Sequence, residues 1–177
     1  MNRGLWVLLG ATLALAACEK VEKHSTTVSH SSDINGRVNK SGITLSDYAM
    51  RAALGNNPNT AAYVTVKNIG TSNDRLIGAK CACAATASLH TMKMNGQVME
   101  MNEVTDGFVI KPGETLVFKP GGNHIMLAGL KTHPQDGDTQ TLTLVFEKAG
   151  PIDVVLPVSN TPLVTKGTSD AMAGMKM

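Results

Sequence analysis

The chain has 177 residues, 42% of them hydrophobic and 17% charged, so it can bury one core and is not disordered by composition. The formal net charge is only +2 and no basic run stands out, which argues against a nucleic-acid partner. Aromatic residues make up 3% of the chain, whereas there are 10 methionines, most of them in its middle and at its end. A core that merely needs gap filling seldom concentrates methionine in this way.

The N-terminus has the features of a secretion signal. A short positive start precedes an apolar run over residues 5–15, which is too short to span a bilayer as a helix. The run ends in Leu15-Ala16-Ala17-Cys18, which resembles the bacterial lipobox, where the cysteine is lipidated and the chain is cut just before it. We therefore expect a lipoprotein signal peptide over residues 1–17 and a lipidated Cys18; an ordinary signal peptide with a chance cysteine is the alternative.

Residues 18–41 are polar and rich in Ser and Thr, which predicts a disordered, flexible tether behind the lipid. His24 and His30 lie in this tether and are interpreted as solvated residues. More than one acyl chain gives a stable membrane anchor. The protein is therefore expected in the bacterial cell envelope, lipid-anchored and facing the periplasm.

Residues 42–158 are predicted to form a single domain of short strands. Residues 61–68, 139–147 and 152–158 are β-rich, and Asn-Gly, Pro-Gly and Asp-Gly turn signals recur between such segments. Residues 47–54 suggest a short helical turn at most. Many short strands at close spacing predict an all-β antiparallel sandwich or barrel. Residues 159–177 form a Met-rich tail that is predicted to be disordered.

Residues 89–101 contain the most informative pattern, two alternating segments around Asn95-Gly96. Asn-Gly is a strong signal for a two-residue type I′ hairpin turn. This turn would pair His90 with Met101, Met92 with Met99, and Met94 with Gln97. Because side chains alternate along a strand, one imidazole and several thioethers would share one face.

A second segment offers the same chemistry, because His124 and Met126 are two residues apart and share a face if the segment is a strand. Imidazole and thioether donors suit Cu(I) better than calcium, magnesium or manganese. A His-Met pair of this kind, taken alone, is more often part of an ordinary hydrophobic core than of a metal site. Two such pairs in one exported, strand-rich domain favour a copper site.

The sequence resembles the PCu(A)C family of periplasmic copper chaperones, whose motif places a His and a Met ahead of a His-x-Met pair. Here ten residues separate His90 from Met101, and twenty-two separate Met101 from His124, one more than is usual in the family. The segments 119–127 and 129–131 also look like family sequence. The resemblance implies a cupredoxin-like, Greek-key β-sandwich. It also implies that the Cu(I) ligands are His90, Met101, His124 and Met126.

The family resemblance further implies that the protein transfers copper to an acceptor protein, for cytochrome c oxidase assembly or for copper homeostasis. The expected acceptor is the oxidase itself or another assembly chaperone. Additional methionines are candidates for auxiliary sites for Cu(I) or Cu(II): Met92, Met94, Met99, Met172, Met175 and Met177. Cys81-Ala82-Cys83 departs from the family pattern. These cysteines could form a local disulfide, remain as buried thiols, or act as soft ligands.

Two other functions are compatible with such a sequence. A blue-copper electron-transfer site needs a Cys thiolate beside two His and a weak axial Met, and no cysteine follows Cys83. A structural lipoprotein without metal is the second alternative. No Ser/His/Asp arrangement, zincin His pair or phosphate-binding glycine loop is evident, so we do not expect an enzyme.

Overall fold

The computed structural model describes residues 31–32 and 37–161, and in this part of the chain all regular elements are β-strands. No helix in these residues is long and apolar enough to cross a membrane. The strands are β1 (Ser31–Ser32), β2 (Val38–Lys40), β3 (Ile43–Arg51), β4 (Asn59–Asn68), β5 (Asp74–Cys81), β6 (Ala84–Asn95), β7 (Val98–Glu103), β8 (Phe108–Ile110), β9 (Thr115–Phe118), β10 (His124–Leu130), β11 (Thr139–Phe146) and β12 (Gly150–Ser159).

The strands form two sheets that meet along β12. The first sheet has the order β7-β6-β10-β4-β3, with β9 beside the second half of β4 and β2 beside the first half of β3. The second sheet has the order β8-β5-β11-β12. The end of β12 joins them by running parallel to the end of β3, where Val158 pairs with Met50. The predicted all-β sandwich is confirmed.

In the second sheet, every other residue of a strand points into the hydrophobic core. In β12, the buried side chains are Ile152, Val154, Leu156 and Val158, and the residues between them are exposed. Strand β11 buries Leu142, Leu144 and Phe146 in the same way. The first sheet contributes Leu45, Val64, Val66, Ile125 and Leu127 to the same hydrophobic cluster. Each such side chain contributes about 1.5–3 kcal/mol by leaving water.

The short helical turn predicted over residues 47–54 is wrong, because β3 continues as a strand to Arg51. Pairing with β4 shifts between Ser46 and Ala49, and Asp47 adopts a φ of 47°. Two residues of β3 therefore oppose one residue of β4, which is a β-bulge. Polar residues at the bulge interrupt the alternation that would have identified the strand.

Ordered structure begins before residue 42, where the domain was predicted to start. Strand β2 pairs with Leu45, Thr44 and Ile43 of β3, and Val38 is buried. The end of the predicted tether is therefore part of the sheet. The signal peptide, Cys18, most of the tether and the tail methionines lie outside the described residues.

Asp74 is a buried acidic residue that joins β5 to the turn between β11 and β12. Its Oδ1 accepts hydrogen bonds from the backbone N–H groups of Arg75 (2.7 Å) and Lys148 (2.9 Å), and its Oδ2 accepts one from Ala149 (3.0 Å). Three donors thus compensate for the burial of this carboxylate. This side chain connects two segments that are far apart in the sequence.

Candidate metal centre

Strands β6 and β7 form the hairpin predicted from Asn95-Gly96, with a register that differs from the prediction. The two-residue turn is Gly96-Gln97, so Asn95 pairs with Val98. Only Gly96 has a positive φ (63°), as a type II′ turn requires of its first central residue. His90 therefore faces Glu103 rather than Met101.

Each of the two faces of this hairpin has its own chemistry. On one face Met92 pairs with Met101 and Met94 pairs with Met99. On the other face Lys93 pairs with Glu100, whose Oε1 accepts a hydrogen bond of 2.9 Å from Asn95 Nδ2. The register moved by two residues and the period of a strand is two, so all these methionines still share the face of His90.

Strand β10 brings the second pair of candidate ligands beside the hairpin. His124 lies directly opposite His90 in the β6–β10 ladder, and the two imidazole rings are 5.5 Å apart between centroids. The next pair, Ile125 and Leu89, points the other way into the core. The apolar residues thus fix the position of the two histidines on the outer face of the sheet.

The contacts of His124 leave one nitrogen available as a ligand. Its Nδ1 lies 3.1 Å from the carbonyl oxygen of Gly122, which can only accept, so Nδ1 carries the proton. In the neutral ring Nε2 then has a free lone pair, and it lies 3.2 Å from the sulfur of Met101. This arrangement, in which one nitrogen is held by a carbonyl and the other faces a soft donor, is typical of a metal-binding histidine.

His90 also has an unsatisfied nitrogen. Its Nε2 lies 2.8 Å from Ser88 Oγ, while its buried Nδ1 has no hydrogen-bond partner among the described residues. Burial lowers the pKa of the His90 imidazole below its ordinary value, the nearby His124 lowers it further, and Glu103 acts in the opposite direction. The lowered pKa favours the neutral ring, which is the form that binds metals.

Met126 lies two cross-strand pairs along the β6–β10 ladder from the two histidines, which is the next position on the same face. It pairs with Ser88 on β6 and with Ala61 on β4, so it shares the outer face with His124. Together with Arg51 and Leu54 it also lines a shallow groove on this face. The structure thus brings His90, His124 and Met101 into contact and puts Met126 beside them.

Sequence reasoning missed three groups around these side chains: Ser88, Glu103 and the carbonyl of Gly122. Ser88 and Gly122 each lie two residues before a candidate histidine, and on a strand that spacing could have identified Ser88. Glu103 was missed because the predicted hairpin register placed Met101, and not Glu103, opposite His90. No described set of three or more His, Cys, Asp or Glu side chains is arranged to hold a metal ion.

The two cysteines form a disulfide, which answers the question that the sequence left open. Cys81 is the last residue of β5, and Cys83 lies in the short connection just before Ala84, the first residue of β6. His90 is six residues further along β6 than Ala84, a distance of about 20 Å. Neither cysteine is available as a thiolate ligand to the histidine pair.

The described donor set fits Cu(I). Imidazole nitrogens and thioether sulfurs are borderline and soft ligands, and Cu(I) accepts both in low coordination numbers. The unpartnered Nδ1 of His90 and the lone pair that the neutral His124 ring carries on Nε2 are the donors that such an ion would bind.

Residues 43–158 match the family described as "Putative lipoprotein LpqE-like". A curated relative from Leifsonia xyli subsp. xyli, described as "Putative lipoprotein Lxx21020", is 37% identical over 101 residues, which is 57% of this chain and 61% of the relative. The alignment therefore spans about three-fifths of that relative's own length.

Solved structures agree with this assignment. The copper-bound PCuAC domain from PmoF2 is 26% identical with a TM-score of 0.59, and the match covers 71% of this chain and 98% of that domain. The Cu(I) form of DR1885 from Deinococcus radiodurans is 28% identical with a TM-score of 0.52, and the match covers 64% of this chain and 76% of that protein. The chain belongs to the LpqE-like lipoprotein family, and its β-sandwich is a domain of the PCuAC type.

Proposed function

We propose that this protein is a copper carrier of the bacterial envelope, without enzymatic activity, that binds Cu(I) and passes it to an acceptor protein. The proposed ligands are His90, Met101, His124 and Met126. The observation that supports this most directly is the 3.2 Å approach of His124 Nε2 to the Met101 sulfur, two electron-rich donors directed at each other. The copper-bound PCuAC domain and the Cu(I) form of DR1885 carry the named metal on the same fold.

Unequal exposure of the proposed ligands gives a route for transfer. Met101 is 50% exposed, whereas His124 is 9% exposed. A donor from an acceptor can therefore approach the ion from the side of Met101 and displace its thioether first, while His124 still holds the ion. Exchange of one ligand at a time avoids release of a free ion.

We propose that a lipidated Cys18 anchors the chain to a membrane with the domain facing the periplasm. Cytochrome c oxidase or another of its assembly chaperones is the proposed acceptor. The blue-copper alternative is disfavoured, because its thiolate would have to come from a disulfide about 20 Å away along β6.

The ligand role of Met101 can be tested with Met101→Leu, which preserves size and apolar character. We expect the Cu(I) affinity to fall about 10-fold or more, because even groups that only orient a metal ligand contribute about 10- to 100-fold. The measurement is a competition titration against a Cu(I) chelator under anaerobic conditions. Val98→Leu is the matched control, since Val98 is 63% exposed on the same strand and points to the other face. Equal affinities for both variants would rule out Met101 as a ligand.

The pH dependence of Cu(I) binding provides a separate test. Protons and Cu(I) compete for the same imidazole lone pair, so affinity should be constant above neutral pH and fall on acidification. The pKa of His90 is lowered from its ordinary 6.5, so protonation of this residue should begin to reduce the Cu(I) affinity at a more acidic pH than it would for an ordinary histidine. Glu103 raises that pKa, so Glu103→Gln should move the fall to still lower pH.

Competition titrations between pH 5 and 8, together with NMR titration of the His90 ring, measure both effects. An affinity that does not change with pH would contradict histidine ligation. A shift of the fall to higher pH in Glu103→Gln would contradict the assigned role of the carboxylate.

A further inference from the structure

The β6–β7 hairpin continues past the histidine pair and presents four methionines on one face. Met92 pairs with Met101 close to the histidines, and Met94 pairs with Met99 near the tip. Met94 is 62% exposed and Met99 is 45% exposed. These two side chains therefore contribute little to the core, and core packing does not explain them.

The opposite face of the same hairpin shows that the arrangement is specific to one side. It carries the pair Lys93 and Glu100 and the pair Thr91 and Asn102, all polar, with Val98 as the exception near the turn. If the tip only required apolar residues, there would be no reason for the thioethers to lie on one face and the charged side chains on the other.

Cross-strand geometry allows these sulfurs to converge on one point. Opposed Cβ atoms in an antiparallel pair are about 5 Å apart, and diagonal neighbours remain within reach of long side chains. Methionine has three rotatable side-chain bonds and a polarisable sulfur, so Met94, Met99 and Met92 can adapt to a common ligand. The exposure of Met94 and Met99 leaves room for that ligand to enter from solvent.

We propose a second Cu(I) site at the tip of the hairpin, formed by the thioethers of Met94, Met99 and Met92. Thioethers alone are soft, neutral donors, which suits Cu(I) and disfavours hard cations. Met94, which pairs with Met99, lies four residues along β6 from His90, or about 13 Å, so these two thioethers can hold a second ion while the histidines hold the first; Met92 lies between the two sites. Passage of copper from the tip to the histidines would follow the Met92 and Met101 pair; that passage rests on the proposed function, whereas binding at the tip does not.

The test is a Cu(I) titration of the full chain under anaerobic conditions, followed by NMR of methionines labelled with ¹³C in the ε-methyl group. The first equivalent should shift the signals of Met101 and Met126, and the second should shift those of Met94, Met99 and Met92. Met94→Leu combined with Met99→Leu should lower the number of bound Cu(I) ions by one and leave the first equivalent unchanged. Leucine keeps the size and apolar character of methionine at these exposed positions.

Lys93→Gln combined with Glu100→Gln is the matched control, because it alters the same two strands on the other face. This control variant should still bind two Cu(I) ions. The proposal is overturned if the Met94 and Met99 signals do not move with a second equivalent, if that equivalent moves only the tail methionines, or if the leucine variant still binds as many ions as the wild type. Failure of the first equivalent to shift Met101 would instead contradict the proposed function and leave the tip site standing.

Discussion

His124→Ala is expected to lower the Cu(I) affinity of the protein by at least about 100-fold, which exceeds the range for groups that only orient a ligand. The substitution removes the nitrogen that lies 3.2 Å from the Met101 sulfur and whose ring is held by the Gly122 carbonyl. It also removes the ring next to His90. The measurement is the anaerobic titration against a competing Cu(I) chelator, in which the binding of the first and the second equivalent of Cu(I) is recorded separately.

His133→Ala is the matched control for this prediction, because His133 is an exposed histidine in the loop between β10 and β11. It should bind Cu(I) as the wild type does. Circular dichroism of both variants tests whether the sandwich is retained. A folded His124→Ala protein with undiminished affinity would contradict the proposed site and support a structural lipoprotein that has no specific metal site.

Asp74→Ala is expected to lower the free energy of unfolding by about 3 kcal/mol, which is a large effect for one substitution. The change deprives the backbone N–H groups of Lys148 and Ala149 of their acceptor, and the bond to Ala149 is fully buried. Water cannot easily replace the lost carboxylate there. Denaturant unfolding, monitored by circular dichroism, measures the loss as a lower midpoint with an unchanged slope.

Asp74→Asn separates charge from hydrogen bonding, because the amide keeps one oxygen acceptor but turns a donor toward one of the N–H groups. We expect a loss that is smaller than in Asp74→Ala. Asp153→Ala is the surface control: its carboxylate accepts one exposed hydrogen bond from Thr143, so the change should stay within about 0.5 kcal/mol. Equal effects of Asp74→Ala and Asp153→Ala would contradict the structural role of Asp74.

Much of the fold could be predicted from local patterns. The β-rich runs over residues 139–147 and 152–158 were identified from the sequence and form most of β11 and β12, although Val145 and Val155 interrupt the apolar-polar alternation. The bulge in β3 could not be predicted, because its irregularity is imposed by pairing with β4 and the local residues fit a helical turn equally well. Strand β2 was missed for a similar reason, since a strand of three residues is defined mainly by its partner.

The candidate site was predicted in part. Asn-Gly indicated a hairpin, but it did not decide whether both residues form the turn or only Gly96 enters it. The error was two residues and preserved the face, which is why the methionines still group together. The pairing of His124 with His90 depends on contacts between distant segments, which spacing could not predict; the family resemblance implied only that both histidines belong to one site.

The Cys81–Cys83 disulfide has a consequence for how tightly the chain would bind copper at the proposed site. It closes a loop of only three residues, so it restricts the unfolded chain far less than a long-range crosslink would. Its main chemical effect is to withdraw two thiolates, the softest copper donors available to a protein. With Cys18 acylated as proposed, no free sulfhydryl would remain to bind copper too tightly for release, and an ion on the proposed imidazole and thioether ligands would pass to an acceptor that binds it more strongly.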